Sequence, residues 1–113
     1  MHHQTCQHNN YRLTCEDFDE LWHNAGGSCQ ICRTPATDAA RGKLYIDHAG
    51  EYGPFAVRGL LCSKCNTLMR HVDSGQRYDE RASRYKANAW FIQVLHARHA
   101  QNVKRRRLAR RSR

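Results

Sequence analysis

No run of about eighteen apolar residues occurs in this sequence, and no signal-peptide pattern opens it. Neither a membrane span nor export is expected, so the chain should work in a reducing cytoplasm, with its thiols free of disulfides. Acidic residues are missing from one end. Beyond Glu80 there is not one Asp or Glu, whereas residues 81–113 hold eleven Lys or Arg. Residues 1–80 carry eight Lys or Arg against ten Asp or Glu, so the formal net charge of +9 belongs to the C-terminal third. A nearly neutral body with a cationic arm is the footprint of a polyanion binder, and DNA is the expected partner. Large aromatics are sparse as well: three Phe, two Trp and five Tyr among 113 residues. That excludes a large core and predicts one small domain of the kind that usually needs a staple.

Cysteine supplies the staple. Six are present, and four of them form two Cys-x-x-Cys knuckles, Cys29-Gln30-Ile31-Cys32 and Cys62-Ser63-Lys64-Cys65, separated by twenty-nine residues. A two-residue spacer lets both sulfurs point at one ion, and four thiolates in this pattern read as a closed tetrahedral zinc site. Zinc binding of about 10–16 kcal/mol acts directly as folding energy. A disulfide framework is the rival reading for a short chain, but paired knuckles without an export signal favour metal. Cys6 and Cys15 lie outside the quartet. With His8 they form either a further metal cluster or two unpaired thiols, and the lack of another knuckle favours the thiols.

Between and after the knuckles stands a different chemistry. Asp47-His48 ends the β-prone run Leu44-Tyr45-Ile46, and Asn66 follows directly on the second knuckle. A carboxylate, an imidazole and a carboxamide suit magnesium or manganese better than zinc. On a regular strand Asp47 and His48 would face opposite ways, so the strand end must bend for both to serve one site. If Asn66 sits early in the next helix, hairpin and helix converge. Asp47 and Asn66 then hold a divalent ion, and His48 takes a proton from an attacking water, which is machinery for phosphodiester hydrolysis. An Asp-His pair alone fits a structural histidine equally well. Arg58, on the returning strand, is either a phosphate contact or a solvated residue.

The surrounding elements are predicted as follows. Residues 1–10 form a flexible lead. Thr14 and Asp17 make a capping-box pair ahead of a helix whose apolar stripe is Phe18, Leu21, Trp22 and Ala25, with Trp22 in the core, His23 solvated and Gly26-Gly27 as the stop. Arg33–Lys43 reads as a loop. Ala49–Pro54 is the six-residue turn of a hairpin whose second strand is Phe55–Leu61, where Gly59 marks a bulge or a close backbone approach. The zinc-stapled domain covers residues 11–75. One long helix over 76–103 follows, packing on the first helix or forming a homodimer seam. Residues 104–113, with Lys104, Arg105, Arg106, Arg107, Arg110 and Arg111, form a solvated, disordered basic tail that binds DNA. The fold class is small α+β.

The order Cys-x-x-Cys, Asp47-His48, Val57-Arg58-Gly59-Leu60-Leu61-Cys-x-x-Cys-Asn66 resembles the recombination endonuclease VII family of His-Asn-His (HNH) nucleases. The lead Tyr11-Arg12-Leu13-Thr14 is similar too, so the likeness covers roughly residues 11–69. The resemblance implies a ββα-metal (His-Me finger) core with a structural zinc on Cys29, Cys32, Cys62 and Cys65. It also implies Mg2+ or Mn2+ on Asp47 and Asn66, His48 as general base, and nicking or double-strand cleavage of DNA, branched DNA included. Phage and bacterial settings are typical of the family. Two departures stand out: Gly50 replaces a second histidine found in many members, and Met69 replaces the carboxylate of the junction-resolving type. His71 is the candidate third member of the His-Asn-His set, or a surface histidine at a helix end. The competing readings are a non-catalytic zinc-stapled DNA-binding module and an assembly protein with a nucleic-acid-binding tail.

Overall fold

A computed structural model describes residues 13–53 and 55–111, with Arg111 described by its backbone alone. The expectations for the N-terminal lead, for Tyr11-Arg12, Cys6 and His8, and for Pro54 lie outside the described residues.

Helix α1 (Cys15–Ala25) begins and ends where its local chemistry dictates. The Thr14 hydroxyl accepts the Asp17 N–H at 3.1 Å, and the Asp17 carboxylate accepts the Thr14 N–H at 3.0 Å, a reciprocal capping box. Gly26, at φ 63°, takes the left-handed turn that ends the helix. Leu21 and Ala25 are buried, but Trp22 is not the core residue expected from the stripe, being 41% exposed. It lies at the stripe's edge, tilted against Phe18 with 6.4 Å between ring centroids. Its indole also covers Gly27, where an added Cβ would stand 3.5 Å from the ring. His23 is exposed, as expected.

Strands β1 (Tyr45–His48) and β2 (Val57–Leu61) form an antiparallel hairpin. β2 starts two residues later than predicted, because Ala49 N–H bonds the Ala56 carbonyl at 2.9 Å and closes a wider loop containing a 3-10 turn at Gly50–Tyr52. Tyr45, Ile46 and Asp47 face Leu61, Leu60 and Gly59, but His48 faces Val57. Arg58 is therefore the extra residue of a β-bulge in β2. Gly59 also permits a close approach: an added Cβ would run into the Gln30 side chain and stand 2.9 Å from Tyr85 Cε1. Gln30 ties the first knuckle to β2 twice. Its N–H donates to the Leu60 carbonyl at 3.1 Å, and its Oε1 accepts the Leu60 N–H at 2.8 Å.

Helix α2 (Ser63–Asp73) starts inside the second knuckle and carries Asn66 as its fourth residue. The single helix expected over 76–103 is two, α3 (Glu80–Ala87) and α4 (Trp90–Arg111). Tyr85 packs in the cluster around the four cysteines, while Trp90 packs with Leu13, Leu21, Ala25, Val57 and Leu60. Residues five apart on a straight helix point about 140° apart, so one rod could not bury both. Asn88 breaks it, leaving helical geometry at φ −105°, ψ 25°, with its side-chain amide on the Arg84 carbonyl at 2.9 Å. The basic tail is also corrected. It continues α4 through Arg111 instead of being disordered, since no Gly or Pro interrupts it and Ala, Leu, Lys, Arg and Gln favour the helix. Lys104–Arg110 are exposed along it, and α4 meets the body mainly through its first turns, leaving Leu95 and Leu108 more than half exposed.

β2 sits between the two clusters, giving Leu61 to one and Val57 and Leu60 to the other. Gly59→Ala forces the Gln30 and Tyr85 contacts apart. It is expected to cost about 1–3 kcal/mol in chemical denaturation, and an unchanged midpoint would contradict the close packing described.

Candidate functional site

The four knuckle cysteines meet. Their sulfur atoms all lie within 4.8 Å of one another, with Cys32 Sγ 3.7 Å from Cys62 Sγ. A zinc tetrahedron with Zn–S of about 2.3 Å has edges of about 3.8 Å, whereas a disulfide needs about 2.05 Å. The quartet can hold a zinc ion and is not disulfide-bonded. Its thiols differ in acidity. Burial opposes ionisation of Cys32, but hydrogen bonds from Thr34, Cys29 and Cys62 hold it down to about 6. Burial pushes Cys65 well up, and the neighbouring thiols add to that. Burial likewise raises Cys62. Gathering four thiolates here calls for a cation among them. Cys15 is half-buried in α1 and is not one of the four.

Asp47 and His48 from β1 and Asn66 from α2 line one cleft of about 570 Å3. The start of α2 at the second knuckle brings Asn66 to the wall that β1 supplies. Glu51, Arg58, Arg70, Asp73 and Lys86 complete its charged lining.

Asp47 is only 5% exposed and accepts three hydrogen bonds. Arg58 Nε and the Tyr85 hydroxyl donate to its Oδ2 at 2.7 and 2.8 Å, and an Arg58 terminal nitrogen donates to its Oδ1 at 3.1 Å. The same guanidinium makes two bonds to Asp73, at 2.9 and 2.8 Å, and Lys86 Nζ lies 3.2 Å from Asp73. The solvated reading of Arg58 is thus overturned. It is 4% exposed, and four of its five N–H groups are committed to carboxylates, which leaves little of it for a phosphate.

The charges reinforce one another. Burial works against the Arg58 cation, but the bonds and charges of Asp73 and Asp47 outweigh it and raise its pKa further. Burial likewise opposes Asp73 ionisation, and Arg58 and then Lys86 hold its carboxyl below the usual range. Burial first, then the Asp47 charge, push the Tyr85 phenol well up, so it remains a donor.

His71 does not line this cleft. It is exposed near the end of α2, with Nδ1 3.1 Å from Gln76 Oε1, beside the concavity that includes Cys32, Cys62 and Cys65. Sequence reasoning misses five charged or network residues of the cleft: Glu51, Arg70, Asp73, Tyr85 and Lys86. Asp73 has a signal, lying seven residues after Asn66 and hence on the same helix face. Tyr85 has none beyond its place in an apolar stripe.

The sequence matches the recombination endonuclease VII family over residues 4–88. The Gene 59 protein of Mycobacterium phage L5 is 32% identical over 87 residues, 75% of this chain and 50% of the phage protein. The Gene 59 protein of Mycobacterium phage D29 is 38% identical over 56 residues, 50% of this chain and 32% of its own length. The chain thus spans a third to a half of the curated relatives it matches. No solved structure matches it. With three-quarters of its residues inside that match and the Cys quartet assembled, the chain belongs to the recombination endonuclease VII family.

Proposed function

We propose that the chain is a metal-dependent DNA endonuclease that hydrolyses phosphodiester bonds with His48 as general base, on a ββα-metal core of the HNH type. The observation that carries this reading is the shared cleft: Asp47, His48 and Asn66, distant in sequence, line one charged concavity in a recombination endonuclease VII family chain. The order hairpin then helix agrees with such a core.

The donor set fits a hard divalent cation. Asp47 has about four acceptor positions, of which three are used, and Asn66 offers a neutral carboxamide oxygen. These two residues would hold Mg2+ or Mn2+, which when bound supplies charge neutralisation at the scissile phosphate and the leaving oxygen. His48, as neutral imidazole, takes the proton of the attacking water. Lys86 and Arg70 at the cleft wall attract the phosphate backbone, a role that the engaged Arg58 cannot fill. The basic C-terminal half of α4, from Arg98 through Arg110, adds affinity for DNA regardless of sequence, and it weakens as salt rises. The Cys quartet, filled by zinc, holds hairpin and α2 in register.

One observation favours the alternative of a non-catalytic, zinc-stapled DNA-binding module: Asp47 already serves a buried ion pair. Nicking of supercoiled plasmid with Mg2+ or Mn2+ separates the two. His48→Ala is expected to lose about 100-fold or more of the activity, with zinc content and melting unchanged. Equal nicking by the variant would refute the assigned base, and no nicking by the wild type would favour the binding module. Cys62→Ser is expected to lose zinc and unfold, since about 10–16 kcal/mol of binding energy is of the order of a small domain's whole stability. A folded, zinc-free variant in circular dichroism and metal analysis would contradict the staple.

A further inference from the structure

We infer that Tyr85, supported by the Arg58–Asp73 pair, is a positioning residue for Asp47: together they occupy one carboxylate oxygen fully and leave the other an open acceptor position for the divalent cation. The inference rests on the reading of Asp47 as a ligand given above.

The asymmetry lies in the hydrogen bonds. Oδ2 of Asp47 receives two donors, Arg58 Nε and the Tyr85 hydroxyl, while Oδ1 receives one. A carboxylate oxygen has two lone-pair positions, so Oδ2 is filled and Oδ1 is not. Arg58 cannot swing away to release Asp47, because its two terminal nitrogens are also bonded to Asp73. Lys86 holds Asp73 in turn.

Tyr85 reaches this carboxylate across β2 for a particular reason. Asp47 pairs with Gly59, and the Tyr85 ring lies where a Cβ on that residue would stand 2.9 Å from Cε1. The missing side chain opens the path from α3 to β1. The helix break after Ala87 then frees α3 to bury Tyr85 while Trp90 seats elsewhere.

The test uses the full zinc-loaded chain and Mn2+ as the probe, titrated by electron paramagnetic resonance. Tyr85→Phe keeps the ring and removes the hydroxyl. It is expected to weaken Mn2+ binding by about tenfold, the scale seen when outer-shell partners of metal ligands are removed. Plasmid nicking should fall at limiting Mn2+ and recover at saturating Mn2+. Tyr85→Phe that binds Mn2+ as tightly as the wild type, while Asp47→Asn has lost the ion, would overturn this inference and leave the parent reading standing. Asp47→Asn that binds as tightly as the wild type would overturn both. Should Tyr85→Phe fail to fold, Asp73→Glu replaces it: the charge stays while the carboxylate that holds Arg58 moves, and Mn2+ affinity is expected to fall. Unchanged affinity in that variant would overturn the inference.

Discussion

Four sulfur atoms from two knuckles twenty-nine residues apart lie within 4.8 Å of one another, and the meeting of hairpin and α2 at the cleft depends on that convergence. Cys62 and Cys65 fix where α2 begins, and so fix Asn66 one residue beyond. Cys29 and Cys32 lock the first knuckle, whose Gln30 grips β2 by both its backbone and its side chain. A core this small, split into two clusters by one strand, has little else to hold a hairpin against a helix.

Asp47 and Arg58 are buried at the cleft while Asp73 and Lys86 are partly exposed, two acids and two bases whose buried members would be expensive if left alone. Mutual bonding offsets that cost, and the bulge that makes Arg58 the odd residue of its strand turns its guanidinium onto Asp47. Strand irregularity and ion pairing are thus one feature.

Much of this is legible in the chain because it is written locally. The Thr14–Asp17 box, the Gly26 stop, the knuckles, and the warning in Gly59 each rest on neighbours within a few positions, and each lies where the sequence puts it. What escapes depends on contacts made across the fold. A sequence shows Arg58 as a charge on a strand, but not that two carboxylates, eleven and fifteen positions away, claim it. The apolar stripe over 76–103 is continuous on paper. Its members belong to two different clusters, and that division breaks the helix at Asn88. Period alone assigns Trp22 to the core, but Leu21 takes the place. The tail departs in the other direction: its charge suggests disorder, whereas its residue types favour helix.

The convergence of Asp47 and Asn66 on one hard cation, beside a separate thiolate-bound ion, is tested most directly by anomalous diffraction from crystals grown with manganese. Data collected at the zinc and manganese edges are expected to show zinc within the four cysteines and manganese between Asp47 and Asn66. A cleft without manganese, its carboxylate and carboxamide turned away from each other, would contradict it.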